Sequence, residues 1–551
     1  MAITISSEDR IPVECYFKVT AGPGAGKTHW LINHIKNVLA HSDRLGKCGK
    51  IACITYTNVG VDTIVRRLGE NSKRVEVCTI HSFFYNNIVK PYLRFISDDE
   101  GFNLDMLKGE DDRFDFSFPT LNAIKKETNQ RYAKEENLAK AIKSARWRFD
   151  ENENLVCKPE RAMIANHKGT NISSKTYMIY KKHAWSQGLM HYDDVIYFVY
   201  SLFKKVPFVQ EVISKRFPFI FIDEFQDSNP IQVKIIRTLV DHGSIVGVIG
   251  DPAQSIYKFL GADVGQFNSF VLPNMKEYVI HGNRRSTVEI VNFLNSIRSD
   301  LQQVPYRTEL GQKPLLLVGS HVNNYKLVQE MTHDNVCALA YDNLNANSLK
   351  KMTNVVDTDK YLIDNIQDSN LKRKTIVAIF IKALEHAKSG NFRKAFALME
   401  RIDIEIKDAV NYLQILLEKY EVICDMTLFD FYEYLKKNLQ IEFSQIKAGQ
   451  AHIFYNNHKY AQLALSVNHE DDDGMQRTIH KAKGDEFDNV MVCLGDEKAL
   501  DFLFKPNLSE NESHRVYYVA ASRAKERLFF STPSLSNDKR KKIEKIGLEI
   551  K

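Results

Sequence analysis

Residues 16–28 read YFKVTAGPGAGKT, and a helical apolar pattern follows at Leu31, Ile35, Val38 and Leu39. A second apolar run, KIACIT, occupies 50–55. A strand at 16–20, a glycine-rich turn, an amphipathic helix and another strand form a βαβ unit, which commits the chain to a parallel sheet. Gly22, Gly24 and Gly26, with Ala25 between them, let the backbone of 21–28 curl so that successive N–H groups and the helix N-terminus face an anion. Lys27 would then reach the β- and γ-phosphates of a nucleotide, and the Thr28 hydroxyl would hold Mg²⁺. Ala21 stands where the usual form of this turn has its first glycine.

A second constraint lies at 219–230, FIFIDEFQDSNP, where a buried strand ends in Asp223, Glu224, Gln226 and Asp227. In nucleotide hydrolases built on a phosphate loop, a neighbouring strand delivers an acid to the metal. Asp223 suits that role, directly or through a bound water. Glu224 is placed to take a proton from an attacking water.

Further strands are expected at 245–249, 314–318, 490–494 and 528–531, and a short basic helix closes the sequence. Residues 90–177 and about 354–470 are polar or helical in pattern. The simplest reading is two α/β cores, each interrupted by a mainly helical insertion. The chain has 551 residues, a net charge of +6, 44% apolar residues and eight cysteines with no C-x-x-C pair. These values predict several packed domains, reduced thiols and neither structural zinc nor a disulfide framework. The charge permits a polyanionic partner without demanding one. No apolar run is long enough to span a membrane, and the first residues lack a signal layout, so the expected location is the cytoplasm with no membrane partner.

DEFQD at 223–227 resembles the acidic box of the UvrD/Rep branch of superfamily 1 DNA helicases. Other segments follow in the order of that family: ITYTNVGVD (54–62), TIHSFF (79–84), HYDDVI (191–196), GDPAQSIYKFLGAD (250–263), GNRRS (282–286), TIHKAKGDEFD (478–488) and YVAASRAK (518–525). The resemblance implies two RecA-like P-loop domains with parallel sheets, ATP and Mg²⁺ as cofactors, and 3′→5′ movement on single-stranded or 3′-tailed duplex DNA. On that basis the first domain is expected at 1–89 and 178–275, with its insertion at 90–177. The second is expected at 276–353 and 471–551, with its insertion at 354–470.

By the same resemblance Gln254 senses the γ-phosphate, Arg285 and Arg523 clamp it from the second domain, Arg284 takes the place of a base-stacking tyrosine, and Glu486 holds the ribose. Tyr56, Thr57, Asn58, Thr79, His81, Phe83, Tyr257, Phe259, Thr478 and His480 form the expected DNA track, although Tyr257 suits core packing equally and a buried structural histidine is the alternative for His480. Residues 1–20 contain no glutamine of the kind that reads adenine in this family. The short second insertion resembles the helicase subunit of Gabija-type antiphage systems, which implies an OLD-like (TOPRIM) nuclease partner. The alternatives are a nucleotide- or DNA-sensing NTPase that regulates a nuclease with little unwinding, and a repair or recombination helicase. Basic residues along 125–148 would line a duplex or that partner, or form a solvated helical face.

Overall fold

The computed structural model describes residues 2–107, 109, 114, 116–165, 169–353, 358–468, 474–546 and 548–551. They form two compact units, Met1–Leu310 with Pro506–Ser522 and Gly311–Lys505 with Arg523–Lys551.

The first unit is built on a seven-stranded sheet in the order Ile3–Thr4, Lys276–Ile280, Phe17–Ala21, Ile245–Gly250, Phe219–Ile222, Ile51–Thr55, Val75–Thr79, with every pair parallel. The central strands are apolar along their whole length because both faces are covered. IACIT, FIFI and IVGVIG are buried at every position. Phe17 faces Gly247 across the ladder, and a Cβ at Gly247 would stand 2.0 Å from the Phe17 ring, so the glycine makes room for that side chain. The helix Lys27–His41 buries Trp30, Leu31, Ile32, His34, Ile35 and Val38 against the sheet, while Leu39 is only half-buried. The strand Lys276–Ile280 lies beyond the expected domain boundary at 275, yet pairs with Phe17–Ala21 in this sheet.

The segment between Thr79 and Phe219 is mainly helical, with helices Phe118–Glu127, Glu135–Ser144 and Lys175–Ser186. It also holds an antiparallel hairpin, Arg146–Phe149 with Leu155–Lys158. The basic stretch 125–148 therefore ends in a strand rather than continuing as one helix. Buried Asp194 ties this region together. It pairs with Lys181 at 2.6 Å and accepts from the Trp147 and Trp185 indoles at 3.0 and 2.9 Å. Burial alone would raise its pKa, but Lys181 and His191 outweigh that and hold the carboxyl below its usual range.

The second unit carries a six-stranded parallel sheet in the order Gln476–Thr478, Val336–Ala340, Phe487–Cys493, Ala524–Thr532, Leu315–Val318, Glu549–Ile550. Both sheets are the RecA-like α/β class expected from the sequence. The basic helix near the end forms at Asn537–Lys545, and Glu549–Ile550 then adds an edge strand that no sequence signal marked. Helices Leu371–Lys388, Phe392–Glu400, Ile406–Glu418 and Leu428–Asn438 pack around Phe380, Leu384, Leu413, Phe431 and Tyr460. Buried Glu385 accepts from the hydroxyls of Tyr420 and Tyr460, both at 2.9 Å, and from Lys351 at 2.7 Å. The expected junctions at 354 and 471 lie outside the described residues. Among the described residues, no helix is long and apolar enough to cross a membrane.

Candidate nucleotide site and DNA track

Three adjacent parallel strands end on the same edge of the first sheet. Phe17–Ala21 runs into the glycine loop, Ile245–Gly250 into Asp251 and Gln254, and Phe219–Ile222 into Asp223 and Glu224. Ligands of open α/β sheets bind at the carboxyl ends of the strands, and the loop's N–H groups open there. Gly24 and Gly26 have φ of 70° and 82°, a left-handed conformation that side chains resist. A Cβ at Gly22 would meet the Gln303 amide at 2.6 Å. The loop is also gripped from outside. Asn283 Nδ2 and Gln303 Nε2 both donate to Pro23 O, at 3.1 and 2.8 Å, and Arg284 N donates to Gly24 O at 2.9 Å.

Lys27 Nζ lies 3.6 Å from Glu224 Oε1, and Thr28 Oγ1 donates to Asp223 Oδ2 at 3.4 Å. Burial, then the neighbouring Glu224 charge, pushes the Asp223 carboxyl up to about 7 against the pull of Lys27 and Thr28. A hydroxyl and a carboxylate so placed are the hard oxygen donors that Mg²⁺ takes beside phosphate oxygens. Glu224 itself has φ of 56°, so the chain bends sharply and sends the two acids different ways. Gln226 Nε2 donates to Glu224 Oε2 at 2.5 Å, while Gln226 Oε1 accepts from Asp251 N at 3.0 Å. The buried amide thus joins the ends of two strands. Gly250 makes room for it, since a Cβ there would stand 2.4 Å from Gln226 Oε1.

Gln254 is buried and donates to Asp251 Oδ2 at 2.6 Å. Asp251 is also held by Arg298, with Nη1 to Oδ2 and Nη2 to Oδ1 both at 2.8 Å. Arg298 lies within 3.4 Å of the Tyr518 hydroxyl. No sequence motif singled out Arg298, and only its burial among charged partners reveals it. Arg285 Nη1 donates to Ser522 O at 2.8 Å within the first unit. Arg523 belongs to the second unit, where it is buried and donates to Asp485 O at 3.3 Å. Glu486 is exposed, 3.9 Å from Lys525.

The expected DNA-track residues divide. Phe259 is 62% exposed, with Tyr257 half-buried and edge-on to it at 6.1 Å. Tyr56 is half-buried and donates to Ser228 Oγ at 2.7 Å. Thr57 and Thr79 cap helices by accepting from Gly60 N and Ser82 N, and Asn58 opens one of those helices exposed to solvent. Phe83 needs correction. It is 0% exposed, because its ring packs inward, edge-on against Phe217 at 5.0 Å. It offers no face for a base. His81 is buried too and donates from Nε2 to Tyr192 O at 2.9 Å. Tyr192 stacks on it at 3.5 Å and is 54% exposed, so the outward aromatic surface here is Tyr192, which the HYDDVI segment contained. In the second unit Thr478 is buried, and His480 is half-buried, edge-on to Tyr341 at 6.4 Å.

The sequence profile of the UvrD/REP helicase N-terminal domain matches residues 7–272, and that of the UvrD-like helicase C-terminal domain matches 460–534. The ATP-dependent DNA helicase PcrA of Bacillus subtilis (strain 168) is 28% identical over 285 residues, 50% of this chain and 36% of the relative. The Gabija protein GajB of Bacillus cereus (strain HuB5-5) is 26% identical over 334 residues, 51% of this chain and 46% of the relative. The ATP-dependent DNA helicase Rep of Buchnera aphidicola subsp. Schizaphis graminum is 22% identical over 615 residues, 93% of this chain and 90% of the relative. The chain thus spans less than half the length of the first two of these relatives.

Proposed function

This chain belongs to the UvrD/REP helicase family, and from that membership we propose that it hydrolyses ATP to move 3′→5′ along single-stranded DNA and to open 3′-tailed duplexes. The observation that carries this reading is the convergence of Lys27, Thr28, Asp223 and Glu224 at one sheet edge.

In this reading the curled backbone of 22–26 and Lys27 bind the phosphates. Thr28 and Asp223 would hold Mg²⁺, which would neutralise phosphate charge. Glu224, steered by Gln226, accepts the proton of the attacking water. Arg285 and Arg523 supply guanidinium groups to the charge that develops on the transferring phosphoryl, and Gln254 answers to the state of that group. Glu486 is assigned to the ribose. Tyr56, Thr57, Asn58, Thr79, His81, Tyr257, Phe259, Thr478 and His480 are assigned to DNA, with Tyr192 added. Aromatic faces hold bases regardless of their order, which suits a motor that must cross any sequence.

The two domains are proposed at the boundaries expected above, except that 276–310 and 506–522, which group with the first compact unit, are assigned to the first. Likeness to the Gabija protein GajB supports a role in antiviral defence beside an OLD-like (TOPRIM) nuclease, for which a cytoplasmic location is proposed. The experiment is hydrolysis measured with and without single-stranded DNA, with Lys27→Ala as the inactive control. Strong stimulation is expected, and its absence would count against the motor reading.

A further inference from the structure

A cavity of about 350 Å³ opens beside the phosphate loop, with Ser6, Asp9, His281, Gly282 and Tyr306 among its lining residues. The turn 6–9 that forms one wall is fastened to the helix leaving the loop. Trp30 Nε1 donates to Asp9 O at 3.0 Å, and His29 Nε2 meets Glu8 Oε2 at 3.1 Å. A Cβ at Gly26 would stand 3.1 Å from Ser7 Cβ. On the other side Arg284, bonded to Gly24 O through its backbone, donates from Nε to Ser7 Oγ at 3.1 Å. Its guanidinium lies 4.3 Å from the centre of the Tyr306 ring. A triphosphate seated on 22–28 therefore has this cavity within reach of its base, and the Arg284–Tyr306 stack offers a flat cationic face to lie on.

The group that meets the base edge decides selectivity. Asp9 Oδ2 accepts from Ser6 N at 2.7 Å, and Asp9 Oδ1 has no hydrogen-bond partner among the described residues. His281 Nδ1 donates to Gln302 O at 2.9 Å, which fixes the ring at the cavity's edge. Of the lining side chains, the Asp9 carboxylate is the one that only accepts, whereas the Ser6 and Tyr306 hydroxyls can also donate. Adenine sets its N6 amino donor beside ring acceptors, so an amide side chain, donor and acceptor together, is what pairs with it. Guanine sets N1–H and the N2 amino group side by side, two donors that match an ionised carboxylate, which only accepts.

We propose that Asp9 makes this pocket a guanine-accepting one, so that the chain turns over GTP at least as efficiently as ATP. The proposal rests on the nucleotide-hydrolysis reading and deepens it. The test compares kcat/KM for the Mg²⁺ salts of ATP, GTP and ITP in the full chain with single-stranded DNA. GTP is expected to equal or exceed ATP, and ITP, which lacks the N2 amino group, to fall about tenfold below GTP. Asp9→Gln, with an amide in place of the carboxylate, is expected to move the ATP/GTP ratio about tenfold or more toward ATP. A wild-type preference for ATP over GTP, or a ratio unmoved by Asp9→Gln, would overturn the proposal. Hydrolysis of neither nucleotide would instead sink the motor reading, and equilibrium binding of fluorescent GTP and ATP analogues would then decide the base preference alone.

Discussion

Glu224 occupies a left-handed backbone position that costs a non-glycine residue on the order of 1 kcal/mol or more, and its carboxylate is fixed by Gln226 and Lys27. A residue held so firmly at a strained point is expected to do chemistry. Glu224→Gln should keep nucleotide binding and slow turnover by about 10²–10⁴-fold. Normal turnover in single-cycle hydrolysis would remove it as the base. Arg298 is a different case, since its guanidinium is buried and shared between Asp251 and the more exposed Asp300. Removing one partner of a buried pair leaves the other charge stranded. Arg298→Met should therefore cost about 3–5 kcal/mol in urea unfolding, and Asp300→Asn about 1 kcal/mol or less. Equal losses would refute the greater weight given to the buried Arg298–Asp251 pair.

At the scale of elements, the helix Lys27–His41 carries a pH liability. Burial lowers the His34 pKa from 6.5 to about 4; the ring lies flat against Trp30, and neither ring nitrogen has a hydrogen bond among the described residues. His321 in the second unit is likewise lowered to about 4, chiefly by burial. The unfolded chain takes up these protons below about 6.5 and the folded chain does not until about 4. Stability is thus fully present above 6.5 and falls by about 1.4 kcal/mol per pH unit per histidine through that window. His34→Leu should flatten part of this slope when urea midpoints are compared at pH 7 and pH 5; an unchanged slope would exclude His34. The aromatic segments make a second contrast. Phe259→Ala should weaken single-stranded DNA binding by about 1–3 kcal/mol in a fluorescence titration and leave stability nearly intact. Phe83→Ala should instead cost about 3–5 kcal/mol of stability. The reverse pattern would restore Phe83 to the track.

At the scale of the whole molecule, the motor reading predicts displacement of a strand from 3′-tailed but not 5′-tailed duplex. Hydrolysis without displacement would favour the regulatory alternative. What was legible in the sequence is local: the glycine loop, the acids after FIFI and the aromatics after GDPAQ all sit within a few residues of the strand that positions them. What was not legible depends on distant partners. Phe83 read as a base platform because nothing nearby revealed Phe217, Asp194 gave no hint of Trp147, and KEYVI at 276–280 carried no sign that it pairs with Phe17–Ala21. That last pairing governs how the molecule is made. Phe17–Ala21 lies between strands that begin at 245 and 276, so neither edge of it is sealed until more than two hundred further residues have left the ribosome. At about 5–20 residues per second the phosphate loop waits many seconds after its own synthesis before it has walls, and a nascent chain halted short of Lys276 would carry the loop's letters without its strand's outer neighbour.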